Sequence, residues 1–365
     1  MSRPIAATLD LDALAHNVER ARRYAAGAKL LAVVKANAYG HGLMRVLPAL
    51  AGADGIALIE LETALELREN GYDRPILLLE GFFDERDLAV AADAQITVVV
   101  HDLEQVRMLE QEKVARPVDV YLKMNTGMNR LGLAPSAAAR TCERLVDLPS
   151  VAGITLMTHF ARLEADDGLA EPLARFKSAC AGLPYPRSLA NSAGVVRYPE
   201  VGGESVRPGI MLYGATPFPK RSAERLGLAP VMTLRSRVIG VQAIERGDAV
   251  GYGATFRAPH AMRIGVVACG YADGYPRHAP NGTPVLVLGQ RVPMAGRVSM
   301  DMLTVDLSSV PHAGVGSDVV LWGEGLPVDE VAVAASTVGY QLLCGVAPRV
   351  PFVVRERGHL LEQDK

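Results

Sequence analysis

The chain has 365 residues, of which 49% are hydrophobic and 21% are charged, and this composition excludes a globally disordered protein. Its 38 lysines and arginines are balanced by 40 aspartates and glutamates, so the charge favours neither nucleic acid nor an anionic membrane as a partner. The length predicts roughly two or three domains with room for a large hydrophobic core.

From the first residue onward, no targeting or membrane-spanning segment is apparent. Residues 1–10 lack the basic and apolar stretches of a secretory signal, and no apolar run approaches the ~18 residues needed to span a bilayer. The cysteines form no CxxC pair and predict neither a zinc site nor a disulfide framework; they are Cys142, Cys180, Cys269 and Cys344. We therefore expect a soluble, cytoplasmic protein whose partner is a small molecule or a second copy of the chain.

The first two thirds of the chain alternate short apolar runs with amphipathic stretches. The apolar runs are typical of strands buried on both faces of a parallel sheet. Eight segments, most of them such runs, are predicted as strands: Leu30–Val34, Gly55–Ile59, Ile76–Leu79, Ile96–Val100, Val118–Met124, Gly153–Met157, Arg187–Ala190 and Glu204–Val206. Intervening helices are predicted at Leu61–Asn70, Leu103–Glu112 and Ala137–Val146. This alternation favours an α/β fold with a (β/α)8 barrel, and a doubly wound open sheet is the alternative.

Near Ala229 and Pro230 the sequence pattern changes. Longer runs rich in β-branched residues follow, separated by glycine and proline, and predict strands at Met232–Ile244, Met262–Ala268, Pro284–Leu288, Met302–Leu307 and Asp318–Trp322. One helix is predicted at Val328–Thr337. We therefore expect a barrel domain over residues 1–229 and a mainly antiparallel β domain over residues 230–365.

Polar side chains and one glycine lie at or just beyond the ends of several predicted barrel strands, at the end of the barrel where such folds carry their active sites. They are Lys35, Lys123, Arg130, His159, Asn191, Ser192, Arg207 and Gly209. Each alone would more often be structural, so the prediction rests on their convergence at one rim. A lysine able to form a Schiff base, a phosphate-binding loop and an arginine for a carboxylate together predict pyridoxal phosphate (PLP) acting on an amino acid.

Six segments, in order along nearly the whole chain, resemble motif blocks of the alanine racemase family. They are Ala32–Gly42, Lys123–Gly132, Gly251–Phe256, Gly270–Arg277, Gly296–Met302 and Leu343–Pro351. The resemblance implies a PLP-dependent isomerase that interconverts L-alanine and D-alanine, for peptidoglycan synthesis or for alanine catabolism. It also implies a homodimer in which each subunit has a (β/α)8 barrel and a C-terminal β domain.

The resemblance also implies roles for individual residues. Lys35 would bind PLP covalently, Arg207 would face its pyridine nitrogen, and His159 would lie beside its ring. The phosphate would be held by Tyr39, Ser192, Tyr340 and the backbone of Gly209 and Ile210, and Asn191 is counted with these cofactor-binding residues.

The substrate and the second subunit have their own predicted residues. Arg130 and the backbone of Met300 would bind the substrate carboxylate. Lys123 matches a lysine that is often carbamylated in this family, and its new carboxylate would orient Arg130. The residues that would reach the barrel mouth of the other subunit are Tyr252, Tyr271, Met300 and Asp301. Asn125 stands where many members have aspartate, although asparagine also occurs there.

Racemisation itself explains why two bases are expected. A proton leaves one face of Cα and another returns to the opposite face, so one base on each face is the simplest arrangement. A free lysine titrates near pH ~10.4 and a phenol near ~10, so Lys35 and Tyr252 both need tuning by burial and by neighbouring charges. In the family, the lysine serves the D-enantiomer and the tyrosine the L-enantiomer.

Three alternatives stay open at this level. One is an amino-acid racemase of broader or different specificity. A second is a related PLP decarboxylase, although those enzymes place an acid where this chain has Arg207. The third is a non-catalytic PLP-binding protein; such proteins resemble the barrel alone, and the β domain with Tyr252 and Met300 argues against that reading.

Overall fold

A strand and a helix begin the described part of the chain. The computed structural model describes residues 3–355, so residues 1–2 and 356–365, at the ends of the two predicted domains, lie outside the described residues. Strand β1 (Ala6–Asp10) leads directly into helix α1 (Leu11–Tyr24). Asp10 caps this helix by accepting a hydrogen bond from the backbone N of Ala13 at 2.8 Å, which satisfies a donor of the first turn.

Eight parallel strands follow and form a nearly closed barrel. They are β2 (Lys29–Val33), β3 (Gly55–Leu58), β4 (Ile76–Leu78), β5 (Thr97–Val100), β6 (Val118–Lys123), β7 (Val151–Met157), β8 (Arg187–Ser188) and β9 (Ser205–Val206). They pair in the order β8-β7-β6-β5-β4-β3-β2-β9, and a parallel bridge between Asn191 and Arg207 brings the end strands together. The predicted (β/α)8 barrel is confirmed, and the doubly wound sheet is excluded because the strand order never reverses.

Helices connect the barrel strands and bury their apolar faces. The connecting segments are α2 (Lys35–Tyr39), a single left-handed turn, and the helices α3 (Leu43–Val46), α4 (Leu61–Glu69), α5 (Glu85–Asp93), α6 (Leu103–Gln111), α7 (Ala138–Leu145), α8 (Ala170–Ala179) and α9 (Ser192–Arg197). The three helices predicted from amphipathic stretches correspond to α4, α6 and α7. Asp102 and Gln105 form a capping box that starts α6. Within residues 3–355, no helix has both the length and the apolar character to cross a membrane.

The later strands are mainly antiparallel, as predicted, and most of them belong to a second sheet. They are β10 (Met232–Ile244), β11 (Ala249–Val250), β12 (Phe256–Arg257), β13 (Met262–Val267), β14 (Pro284–Val287), β15 (Gln290–Pro293), β16 (Leu303–Asp306), β17 (Asp318–Trp322) and β18 (Phe352–Arg355). The main path is β15-β14-β17-β10-β1-β18, with β13 pairing with β10 and β16, while β11 and β12 form a separate hairpin. The predicted helix at Val328–Thr337 is shorter, as α10 (Val328–Ala334), and a further helix, α11 (Gly339–Cys344), follows it.

The first strand of the chain belongs to this second sheet. It pairs antiparallel with β10 on one side and parallel with β18 on the other, so Ala7 lies opposite both Leu234 and Phe352. Leu9 and Ala7 are fully buried there. The predicted barrel domain of residues 1–229 therefore begins with a strand that crosses to the β domain.

Candidate active site

A cavity of about 660 Å³ opens at the carboxyl ends of the barrel strands. Parallel strands bring these ends to one rim, so side chains that are far apart in the sequence meet there. Cavities of this size hold small-molecule ligands. The predicted site residues that line it are Lys35, Tyr39, Lys123, Arg130, His159, Asn191, Ser192, Arg207, Gly209, Ile210 and Tyr340. Tyr340 comes from α11, so the part of the chain beyond the barrel also contributes to this cavity.

A left-handed turn joins Lys35 to Tyr39. Residues 36–39 all have φ between 51° and 55°, although none of them is glycine. Such backbone costs roughly 1–2 kcal/mol per residue, so surrounding contacts must hold the turn. The Asn37 Oδ1 accepts a backbone N–H from α3 at 2.7 Å, and the His41 Nδ1 lies 2.9 Å from a carbonyl oxygen of the turn. The strained turn therefore fixes Tyr39 relative to Lys35.

Gly209 allows the hydroxyl of Tyr39 to approach the backbone that follows β9. The backbone N of Gly209 donates a hydrogen bond to Ser192 Oγ at 2.8 Å, and a Cβ at this position would lie 2.4 Å from the Tyr39 hydroxyl oxygen. Burial raises the pKa values of Tyr39 and of Tyr340, the latter to about 12, so both phenols stay protonated and can donate. These groups form one corner of the cavity and suit an anionic ligand.

Arg207 is buried and held by three hydrogen bonds. Its Nη1 donates to the carbonyl oxygen and to the Oγ of Ser188, at 2.7 and 2.5 Å, and its Nη2 donates to the carbonyl oxygen of Thr158 at 2.7 Å. Burial lowers the pKa of Arg207 to about 10, which still leaves the guanidinium charged at neutral pH. The sheet thus fixes a permanent cation beneath the cavity.

Neighbouring cations alter two further side chains of the cavity. Burial, together with the charges of Arg207 and Arg130, lowers the pKa of Lys123 to about 8. Burial and the same arginines lower the pKa of His159 to about 3, so this imidazole is neutral. The Nδ2 of Asn191 lies 3.5 Å from the Nε2 of His159.

Asn125 organises the loop that carries Arg130. Its Oδ1 accepts the backbone N–H groups of Gly127 and Asn129, both at 3.1 Å, and its Nδ2 donates to the side chain of Asn129 at 3.0 Å. A carboxylate would accept the same two backbone hydrogen bonds. The asparagine therefore preserves the loop where many family members have aspartate.

The β-domain residues predicted to serve the other subunit lie outside this cavity. Tyr252 is 70% exposed and Met300 is 53% exposed, and Tyr271 and Asp301 are only partly covered. The structure of one chain does not bring Tyr252 near Lys35. The role of these four β-domain residues at the other subunit therefore stays a prediction.

Three titratable residues of the cavity were not predicted from the sequence, namely Glu80, His101 and Glu164. Glu80 follows β4 and His101 follows β5, and the His101 Nε2 lies 3.0 Å from the carbonyl oxygen of Glu80. Burial lowers the pKa of His101, so it is a neutral donor there. Glu80 and His101 each come directly after a predicted strand, and this position could have identified them.

The barrel, the second sheet and the polar cavity at the barrel mouth define an enzyme of the (β/α)8 class. Residues 9–217 match the family model for the N-terminal domain of alanine racemase, and residues 231–354 match that for its C-terminal domain. The chain therefore belongs to the alanine racemase family, a family of isomerases. The predicted resemblance to this family is confirmed.

Individual relatives cover almost the whole chain. An alanine racemase of Burkholderia mallei is 55% identical over 353 residues, which are 96% of this chain and 99% of the relative. A catabolic alanine racemase of Klebsiella aerogenes is 52% identical over 354 residues, covering 97% and 99%. The crystal structure of biosynthetic alanine racemase from Pseudomonas aeruginosa is similar with a TM-score of 0.94 and 46% identity, covering 97% of this chain and 100% of that one.

Proposed function

We propose that the protein is an alanine racemase that binds PLP at Lys35 and interconverts L-alanine and D-alanine. The observation that carries the proposal is the meeting of Lys35, Arg207 and the Ser192–Gly209 pair in one cavity at the barrel mouth. These are the groups needed for a covalent cofactor link, for its ring and for its phosphate. A catabolic and a biosynthetic enzyme are both similar to this chain, so either physiological role is compatible with the proposal.

The charge and shape of the cavity fit the phosphate and carboxylate groups of the cofactor and the substrate. The cavity is lined by the cationic side chains of Lys35, Lys123, Arg130 and Arg207, and by the carboxylates of Glu80 and Glu164. Burial, and after it the charges of Arg207 and Arg130, lower the pKa of Lys123, and anionic ligands would relieve the repulsion between these cations. A Cβ at Gly209 would lie 2.4 Å from the hydroxyl oxygen of Tyr39. The glycine therefore leaves space beside the hydroxyl that would donate to the phosphate.

PLP, when bound, withdraws electron density from the substrate Cα and makes its proton removable. Tyr39, Ser192, Tyr340 and the backbone of Gly209 and Ile210 would hold its phosphate, with Asn191 beside them, and Arg207 would face its pyridine nitrogen. The neutral His159 would lie beside the ring. The guanidinium of Arg130 would bind the substrate carboxylate and so orient Cα towards Lys35.

Proton transfer is proposed to need two subunits. The amine of Lys35 would take or return the proton on one face of Cα, and Tyr252 of the partner subunit would do so on the other face. Tyr252, Met300, Tyr271 and Asp301 are partly or largely exposed, as expected for residues that complete a neighbouring site in a homodimer.

The proposed domains remain residues 1–229 and 230–365, except that strand β1 belongs to the sheet of the second domain. A cytoplasmic location is proposed because all four cysteines are unpaired.

Lys123 is proposed to carry a carbamate. A lysine must lose its proton before its amine can add to carbon dioxide, and a pKa of about 8 makes a neutral amine accessible near neutral pH. The product would be an anion close to Arg130 and Arg207. It would therefore replace a repulsive charge by an attractive one and would hold Arg130 for the substrate.

A chiral assay of the purified protein with PLP tests the proposal. L-Alanine, L-serine and L-lysine are supplied in parallel, and conversion to the D-enantiomer is followed. Fast conversion of L-alanine supports the proposal, whereas faster conversion of serine or lysine would favour a racemase of different specificity. Binding of PLP without any racemisation would favour a non-catalytic PLP-binding protein.

Replacing Gly209 with alanine is expected to weaken PLP binding by about tenfold or more. The added Cβ overlaps the Tyr39 hydroxyl, so at least one hydrogen bond to a charged phosphate should be lost. The measurement is the PLP dissociation constant from absorbance titration. Gly314→Ala is the matched control, because its Cβ would meet nothing within 4 Å. Equal PLP affinity in both variants would contradict the proposed phosphate site.

Replacing Arg207 with glutamate is expected to raise transamination relative to racemisation. Arg207 stays charged and cannot readily give a proton to the pyridine nitrogen, so an acid there should strengthen the electron sink and favour side reactions. The ratio of pyruvate formed to alanine racemised is the readout, since the lost hydrogen bonds to Ser188 and Thr158 will also lower the rates. Arg207→Lys keeps a cation and should not raise the ratio; an unchanged ratio in Arg207→Glu argues against the idea.

A further inference from the structure

Two adjacent loops of the β domain carry the residues proposed to serve the partner subunit. One loop bears Tyr271 and the other bears Met300. The backbone N of Tyr271 donates to the carbonyl oxygen of Ser299 at 3.0 Å, and the backbone N of Ala272 donates to that of Met300 at 2.9 Å. A Cβ at Gly270 would lie 2.4 Å from two carbonyl oxygens of the second loop, so only glycine permits this contact. The two loops therefore form one unit.

Asp273 is the buried centre of this unit. Its carboxylate accepts hydrogen bonds from both Nη atoms of Arg3, at 2.5 and 2.9 Å, from Nε of Arg349 at 2.8 Å, and from the backbone N of Gly270 at 2.9 Å. Burial alone would raise the pKa of Asp273, but these hydrogen bonds outweigh it and leave the pKa below its usual value. The carboxylate is therefore charged at neutral pH, and its side chain has no exposed surface.

The same two arginines also reach the second loop. Nη2 of Arg349 donates to Oδ1 of Asp301 at 2.7 Å, and Nη2 of Arg3 donates to the carbonyl oxygen of Asp301 at 2.5 Å. Arg3 precedes β1 and Arg349 precedes β18, and these strands are neighbours in the second sheet. Both ends of the described chain are thus fastened to the two loops through one buried carboxylate.

We infer that Asp273, clamped by Arg3 and Arg349, is a positioning residue that acts in the partner's active site. It touches neither substrate nor cofactor; it fixes the Tyr271 and Met300 loops at the position where they complete the neighbouring barrel mouth. This inference rests on the proposed function. A misplacement of ~1 Å in such groups can cost about 100-fold in rate, so the clamp should affect activity strongly.

The first test compares variants in the homodimer. Asp273→Asn should lower kcat/KM for alanine by about 100-fold, while PLP affinity stays at the wild-type value. The KM should rise, because the backbone of Met300 is proposed to bind the substrate carboxylate. Arg349→Lys keeps one contact with Asp273 but loses the second donor, so its kcat/KM should lie between those of Asp273→Asn and the wild type. Arg291→Ala, which breaks an exposed pair with Glu330 in the same domain, is the control and should match wild type. PLP affinity that falls in parallel with activity would overturn the inference.

The second test shows in which subunit Asp273 acts. Mixed dimers are purified from two differently tagged chains. With Lys35→Ala on one chain and Asp273→Asn on the other, one site combines an intact barrel with intact loops, so about half of the wild-type activity should return. With both substitutions on one chain and a wild-type partner, the only intact barrel faces the altered loops, and activity should stay low. Equal activity of the two mixed dimers would overturn the inference.

A third mixed dimer separates the inference from the proposal beneath it. Lys35→Ala on one chain and Tyr252→Phe on the other should also recover about half of the activity. No recovery here would overturn the shared active site, and the clamp with it. Recovery here, combined with equal activity of the two Asp273 mixed dimers, would overturn only the inference about Asp273.

Discussion

Replacing Lys35 with alanine is expected to lower alanine racemisation by at least about 10⁴-fold. The variant loses the proposed covalent link to PLP and one of the two proton-transfer groups together, and general acid–base catalysis alone contributes roughly 10²–10⁴-fold. Lys35 follows β2 at the rim of the cavity, and its removal opens space without disturbing the buried strand. The rate is measured with PLP in excess, so that weak binding of the cofactor does not limit it.

The control for this prediction lies on the same strand. Lys29 begins β2 at the opposite end and is exposed, so Lys29→Ala should keep wild-type activity. Borohydride reduction followed by peptide mass spectrometry should place PLP on Lys35 in wild type and in Lys29→Ala, and on no peptide of Lys35→Ala. Retained activity in Lys35→Ala, or attachment at another lysine, would contradict the assignment.

Replacing Tyr252 with phenylalanine is expected to lower racemisation by about 10²–10⁴-fold in both directions. Only a hydroxyl is removed, and the ring is 70% exposed in the single chain, so the fold should be unaffected. Because the two enantiomers have equal free energy, kcat/KM must fall by the same factor from L-alanine and from D-alanine. Tyr185→Phe, a tyrosine outside the cavity, serves as the control.

Isotope exchange distinguishes a lost base from a general defect in the Tyr252→Phe enzyme. Lys35 should still remove and return the Cα proton of D-alanine, so deuterium from the solvent should enter D-alanine without inversion. Exchange into L-alanine should be lost with the racemisation. If exchange from both enantiomers disappeared together, Tyr252 would be needed for binding rather than for proton transfer on one face.

Much of the fold could be predicted because the barrel strands are buried on both faces. Val98, Val99 and Val100 of β5, for example, have no exposed surface, and burial of this kind appears in the sequence as an unbroken apolar run. β1 could not be found in this way. Its segment is short and begins with two alanines, which favour strands poorly, and its pairing partners lie in a distant part of the chain.

The candidate site was predictable to the extent that it follows strand ends. Lys35 comes directly after an apolar run and Arg207 directly after the predicted strand Glu204–Val206, and barrel geometry gathers such residues at one rim. The left-handed turn beside Lys35 was not predictable, because Ala36 and Ala38 favour a right-handed helix by their own propensity. Contacts from Asn37 and His41, which exist only in the folded chain, determine its handedness.

The position of β1 has a consequence for the order of folding. β1 is synthesised before all the barrel strands, yet its parallel neighbour, β18, is synthesised after them. The barrel strands between them can pair with near neighbours during synthesis, whereas closing so long a loop is entropically costly and slow. Completion of the second sheet is therefore expected to follow the folding of the barrel. A subunit would then position the loops proposed to serve its partner only after its own barrel has formed, so that dimer assembly would follow the folding of each barrel.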